Sequence, residues 1–459
     1  MNIPLSDDDL DRELTQILNK VFAGSLSEQN KENAPRLCPG PVLILPPDTT
    51  RIHSRAGFLA GIVCRELARR GKQNSSGPPG DWSLGAIMPA LGTHRPLGPE
   101  EIKRMFSACP ANKIIPHRWN NDTVELGRLE ADWVASAFTG SRGGPFHMDW
   151  PVQVNRILRD GLPAADGTRP FSLIISIGQV VPHEIAGMAN HAKNIFVGAG
   201  GEEAIHKSHW LGALYGLERL MGVRENPVRS LFDEALRRYG HLMPPILWIL
   251  TVVDYRNRVQ GLFCSFGREC FEKAAALSEE ANIQQITGAK EGIRKAVVWL
   301  EKSEYRSTWL GNKAIYRTRR AMADGGELMI LAPGLECFGE DPGMDALIRR
   351  YGYRGTQAIL RAVEEGSELP AKLSAAAHLI HGSSEGRFVI RYCTTKGPGL
   401  LGQSGIEGVG YEWGNLEESA ARYVPQGPDK QHQGWNTTAD GERYYFIRNP
   451  GMGLWVAIR

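Results

Sequence analysis

The sequence predicts an α/β protein of two domains, each built on a mainly parallel sheet, and three observations carry that expectation. With 459 residues the chain exceeds one ordinary hydrophobic core, so it is expected to divide. Hydrophobic residues make up 42% and charged residues 23%, the balance of a soluble globular protein. Short apolar runs alternate with longer stretches of helical periodicity, the pattern of β-α units.

The apolar runs place strands at 41–45, 83–89, 171–177, 194–198, 246–253, 295–300 and 327–332. Helical periodicity covers 54–70, 98–107, 204–221, 228–239, 270–281 and 345–351, with Ser54 as the N-cap of the first. The Gly/Pro/Ser-rich stretch 71–81 reads as a surface loop. A break in organisation near 284–292 divides the chain into 1–288 and 289–459, the second an α/β domain of its own.

Charge and cysteine content narrow the class. A formal net charge of +2, with Lys and Arg spread along the chain, calls for neither a nucleic-acid nor a membrane partner. The seven cysteines are odd in number and contain no CxxC pair, which points to a reducing cytoplasm and away from a disulfide framework or thiolate zinc site. The acidic N-terminus has no apolar core of a signal peptide, and the apolar stretch 244–253 is too short to span a bilayer.

Four segments carry chemistry. In LILPPDTTRIHS, Asp48, Thr50 and Arg51 follow a strand end, where an Arg can clamp a carboxylate and an Asp can equally cap a turn. In IMPALGTHRPLGPEEI, His94 and Arg95 leave a strand just before a helix whose first turn begins at Pro99 and Glu100. His94 can act as acid or base near neutral pH, although a lone loop histidine is commonly incidental.

The third segment, SIGQVVPHEIAGMANHAKNIFVGAGGEEAIHKSHW, offers His183 and Lys193, then a glycine turn opening a helix with His206 and His209 on one face. Imidazole suits nickel, zinc or copper, and the turn 198–201 suits either a phosphate or a plain helix start. In the fourth, Lys313 precedes the Gly325–Gly326 turn and can meet a carboxylate or alkoxide, or simply be solvated. The run Arg317, Arg319, Arg320 reads as a solvated face.

Taken in order, these motifs resemble the lactate racemase family that uses a nickel-pincer nucleotide. Asp48-Thr49-Thr50-Arg51, Gly92-Thr93-His94-Arg95-Pro96, Pro182-His183 with Gly187 and Lys193, His209, and Lys313 ahead of Gly325-Gly326 match that family's pattern across nearly the whole chain. The resemblance implies an isomerase, a racemase or epimerase that inverts C2 of a 2-hydroxy acid by proton-coupled hydride transfer, working in a cleft between two domains. It implies the nickel-pincer nucleotide joined to Lys193 through a thioamide, His209 as nickel ligand, and Asp48, Thr50, Gly187 and Gly200 as cofactor contacts. His94 and His183 become the two acid–base groups, Arg51 the carboxylate clamp, and Lys313 the contribution of the second domain. Cofactor-making enzymes become partners.

Ile52, His53 and Ser54 stand where the family shows Pro, and 188–192 replaces a glycine-rich run, so lactate itself is not implied. The segment AAHLIHGSSEGRF, with His378 and His381, suits either a hydroxyl-rich substrate such as an aldonate or an internal turn. Two alternatives remain: a sugar-acid or nucleotide-binding protein without activity, and an NAD-type oxidoreductase, against which stands the lack of a GxGxxG after a strand.

Overall fold

The computed structural model describes residues 3–24, 35–73, 81–141, 147–165, 167–395 and 397–458, and most of the loop expected over 71–81 lies outside them. The chain divides into two compact units. The first comprises 1–139, 145–208 and 222–282; the second comprises 140–144, 209–221 and 283–459.

In the first unit the elements are α1 (Asp7–Phe22), β1 (Pro41–Leu45), α2 (Ala56–Gln73), β2 (Ser83–Ile87), α3 (Pro99–Met105), β3 (Thr123–Leu129), β4 (Trp150–Asn155), β5 (Leu173–Gln179), α4 (Glu202–Tyr215), α5 (Pro227–Tyr239), β6 (Ile246–Val253), β7 (Val259–Ser265) and α6 (Glu269–Asn282). Five strands form one sheet in the order β7-β6-β5-β1-β2, parallel except for the antiparallel edge strand β7. Every residue of β5 and β6 is buried, as expected of parallel strands covered on both faces. Against the sheet pack Leu59, Ile62, Val63 and Leu67 of α2, and on these lie Leu10, Leu14, Leu18 and Val21 of α1. The acidic N-terminus, unmarked by the apolar runs, forms α1 because Ser6 and Asp9 make a reciprocal cap.

The second unit continues through β8 (Ile293–Trp299), α7 (Lys313–Thr318), β9 (Met322–Leu331), α8 (Leu373–His381), β10 (Val389–Thr394), β11 (Glu412–Asn415), β12 (Gly434–Thr437) and β13 (Arg443–Ile447). Its sheet runs β11-β10-β9-β8-β13-β12, parallel except for the β12–β13 pair. Two α/β units with mainly parallel sheets are what the sequence predicts.

Several elements differ. The apolar run Asn194–Gly198 is a π-helical turn rather than a strand. A short buried apolar run has no periodicity to separate the two, and here Asn194 decides by donating to Leu45 O (3.3 Å) and Ser176 Oγ (2.9 Å). The helix expected over 204–221 breaks after Tyr215 because Gly216 adopts φ 109, and a short helix Leu217–Leu220 follows. Its residues through Ser208 belong to the first unit and those from His209 to the second. Ser54 does not cap α2 in the usual way, since Arg55 intervenes at φ 62, although Ser54 Oγ accepts from Ala56 N (3.2 Å).

Gly325 and Gly326 lie inside β9 as a bulge, and Gly325 N bonds Arg387 O (2.6 Å). Two members of the basic run are buried, not solvated, and Arg320 is half-buried: Arg317 donates to Gly453 O (3.3 Å), and Arg319 pairs with Glu218 and donates to His381 O (3.2 Å) and Ser383 O (2.5 Å). Carbonyl acceptors from several segments replace water around these guanidinium forks. Among the described residues no helix is long and apolar enough to cross a membrane.

Candidate active site

Three loops leave the same edge of the first unit's sheet, because β5, β1 and β2 are adjacent and parallel. They follow Leu45, Ile87 and Gln179, and they carry Asp48, His94 and His183. The chain moves from β1 to β2 on one side and later places β5 on the other, so β1 marks a change of direction in the sheet. In open α/β sheets that point, at the carboxyl ends of the strands, is where ligands bind.

Asp48 is buried and ends the β1 loop as the cap of a 3-10 turn over Thr49–Ser54. Its Oδ1 accepts from Thr50 N (3.1 Å) and Thr50 Oγ1 (2.5 Å), and its Oδ2 lies 2.5 Å from His94 Nδ1. Burial alone would raise its carboxyl, but His94, Thr50 and Arg51 outweigh it and hold the pKa at about 2. The carboxylate is therefore ionised and accepts the Nδ1 proton of His94, which leaves the Nε2 lone pair of a neutral His94 free to act as a base. This Asp–His pairing assigns Asp48 a task that sequence reasoning did not find, since the resemblance placed it on the cofactor.

His183 has the opposite arrangement. It sits buried in a two-strand hairpin, Pro182–His183 against Gly187–Met188, with Gly187 opposite it at φ 72. Its Nδ1 accepts from Ile185 N (3.1 Å), so a neutral His183 carries its proton on Nε2. One histidine is thus set as acceptor and the other as donor.

Lys193 is half-buried at the start of the π-helical turn. Burial and the cations Arg51 and Arg229 lower its amine to about 8, against the smaller opposing pull of Glu184 and Asp48. An amine so placed is a nucleophile near neutral pH. Arg51 is half-buried in the 3-10 turn at φ −119, ψ 29. The β2 loop and the π-helical turn are tied together by Gly92 N to Gly198 O (2.8 Å).

Gly200 has its backbone engaged internally. Its carbonyl accepts from His117 Nε2 (3.0 Å), and an ideal Cβ there would lie 2.1 Å from Phe196 O. Burial lowers His117 to about 4, and its Nδ1 takes a bond from Asn155 Nδ2 (2.9 Å), so this histidine is a neutral brace. Nothing in the sequence singles it out. Glu202 and Glu203 occupy the first turn of α4 and already complement its dipole. Gly200→Ala is expected to cost about 1–3 kcal/mol of stability through that steric clash, read as a lowered unfolding midpoint.

His209 lies half-buried on α4, one turn after His206, whose Nε2 is 3.5 Å from Glu202. Among the described residues no three His, Cys, Asp or Glu side chains gather as a metal site. In the second unit Lys313 opens α7, half-buried, its ammonium 5.9 Å from the Tyr305 ring centre.

The segment 381–387 is internal to that unit. Ser383 Oγ accepts from Glu385 N (2.9 Å), Glu385 accepts from Thr356 N and Oγ1, and Arg387 reaches Asp324, Arg319 O and Met322 O. His378 is held between Tyr316 OH (2.8 Å) and Tyr353 OH (2.9 Å) under Trp309.

No family model and no curated protein matches the chain in sequence. Solved structures do match it in shape. A protein from Thermotoga maritima superposes over 100% of both chains at TM-score 0.75 and 21% identity. The lactate racemase apoprotein from Thermoanaerobacterium thermosaccharolyticum matches over 96% of this chain and 92% of its own at TM-score 0.62 and 14% identity. The fold is lactate racemase-like. Within that fold the first unit brings Asp48, Thr50 and His94 into one hydrogen-bonded group, sets Arg51 and Lys193 within electrostatic reach of each other, and pairs His183 with Gly187.

Proposed function

We propose that the protein is a racemase or epimerase acting at C2 of a 2-hydroxy acid, with a nickel-pincer nucleotide carried on Lys193. The observation that carries this reading is the contrast between His94, whose Nδ1 meets the Asp48 carboxylate, and His183, whose Nδ1 accepts from a backbone N–H, on loops from one edge of a parallel sheet. Inverting a hydroxyl-bearing carbon calls for a base on one side and an acid on the other, with the roles exchanged for the opposite enantiomer.

The residues present fit the cofactor. A half-buried amine lowered to about 8 suits a covalent attachment point. The imidazole of His209 would serve as a nickel ligand on this reading. When bound, the cofactor supplies a reversible hydride acceptor.

The chain's own residues supply the rest. His94 Nε2 removes the hydroxyl proton of one enantiomer while Asp48 stabilises the imidazolium that results. His183, as an imidazolium, returns a proton from Nε2 to complete the other enantiomer and is left neutral. Arg51 orients the substrate carboxylate. Ser383, Glu385 and Arg387 spend their polar atoms internally, so that segment gives an aldonate no support. Cofactor-making enzymes are required partners on this reading.

The test is intact-protein mass and nickel content after co-expression with those enzymes, followed by a stereoisomer screen of 2-hydroxy acids. Expected are a nucleotide-sized mass increase located on Lys193, bound nickel, and interconversion lost in Lys193→Ala. A Lys193→Ala protein that still interconverts the isomers rules the reading out.

A further inference from the structure

The loop that links His183 to Lys193 is strained and clamped. Asn190 (φ 68) and His191 (φ 55) are consecutive left-handed residues with side chains, each costing about 1–3 kcal/mol unless the surroundings impose it. The surroundings are the N-terminal end of α5 and the residues before it. Gly222 N donates to Gly187 O (2.9 Å), Asn226 Nδ2 to Ala186 O (3.1 Å), Arg229 Nη2 to Met188 O (2.5 Å) and Arg229 Nη1 to Asn190 O (3.2 Å). Four carbonyls in five residues are thereby held from one side.

Arg229 is the centre of this clamp. Its side chain is fully buried, with its guanidinium 4.3 Å from the Phe271 ring centre. Burying a cation costs several kcal/mol unless its donors are used, and the rigid planar fork of a guanidinium presents two N–H donors at a fixed spacing to two carbonyls, a geometry that a compact ammonium on a flexible stem does not reproduce. The nearby charges are Asp233, Arg268 and Glu225, with Asp233 also 3.8 Å from buried His191. None of these belongs to the chemistry assigned above.

We infer that Arg229 is a positioning residue: through the carbonyls of Met188 and Asn190 it fixes the loop that presents the Lys193 amine and the His183 imidazole. The inference rests on the reading of Lys193 as the attachment point, but its test does not need the cofactor. Arg229 carries no contact to substrate and acts through the loop.

The experiment uses the full-length, unloaded protein. Acetylation of Lys193 by acetic anhydride is followed by peptide mass spectrometry across pH, in wild type, Arg229→Met, Arg229→Lys and Asn226→Ala, each checked for folding by circular dichroism. The groups facing the Lys193 amine are Arg51, Glu184, Asp48 and Arg229, and the wild-type midpoint is expected near 8. Arg229→Met, which removes a cation and lets water in, is expected to move the midpoint upward by about one pH unit. Arg229→Lys keeps the charge but loses the fork and falls between. If Arg229→Met does not fold, an upward shift in Arg229→Lys or Asn226→Ala still supports the clamp.

Loss of the Arg229 charge alone moves the midpoint in Arg229→Met, so the charge-conserving Arg229→Lys and the neutral Asn226→Ala decide. A residue that merely supports the core lowers their melting temperature and leaves their midpoint in place. Folded variants with an unmoved Lys193 midpoint overturn the inference. A moved midpoint in a protein that never takes up the nucleotide upholds the clamp while defeating the functional reading.

Discussion

His94→Gln and His183→Gln are each expected to slow interconversion of the enantiomers in both directions by about 10²–10⁴ fold, the usual size of a lost acid–base group. Both directions fall because each histidine is the base for one enantiomer and the acid for the other. Asp48→Asn is expected to act on the same step without touching substrate. The ionised carboxylate now takes the Nδ1 proton of His94, whereas an amide can donate to Nδ1 and leave the proton on Nε2, the wrong tautomer for a base. The expected loss is in kcat, about 10³-fold, with KM little changed. Steady-state rates of the loaded variants, measured from each enantiomer in turn, check this. An Asp48→Asn enzyme with wild-type kcat removes the Asp–His pairing from the mechanism.

Trp150→Ala is expected to cost about 3–5 kcal/mol of stability, the range for deleting a buried aromatic. Trp150 is fully buried in β4, with Phe196 and Phe232 at ring-centre distances of 5.9 and 5.8 Å and its Nε1 bonded to Ala204 O (2.9 Å). It therefore joins the π-helical turn after Lys193 to the first turn of α4. Truncation leaves a cavity and removes the indole bond to Ala204 O. Denaturant unfolding followed by tryptophan fluorescence and circular dichroism measures the loss. A change below about 1 kcal/mol shows that the site has collapsed around the gap and that the turn does not depend on this ring.

Much of the scaffold was legible because burial writes itself into composition. The strands at 41–45 and 246–253 are continuous apolar runs bounded by Pro or polar residues, and the structure has them at those residues. Pro99 marked a helix start that the structure retains, with Glu101 accepting from Gly98 N (2.8 Å). Asn194–Gly198 misled for the same reason, since a buried π-helical turn and a buried strand share an apolar composition. The arginines misled in the other direction. Arg317 and Arg319 read as a solvated face, yet carbonyl oxygens distant in sequence replace their water, as they do around Arg229, which no motif marked.

The sequence by itself determined the α/β class, the parallel pairing implied by alternating units, and a short roster of residues able to move protons or carry a cofactor. Periodicity and residue chemistry are local properties, readable without coordinates. What meets the Nδ1 of each histidine, what depresses the Lys193 amine, and what holds the strained loop before it were decided only in the tertiary structure. Each depends on contacts between segments far apart in the chain: Asp48 with His94, Arg51 with Lys193, and Arg229 with Met188 and Asn190. Tautomer and pKa are set by the nearest donor, acceptor or charge in space, and linear spacing does not contain that information.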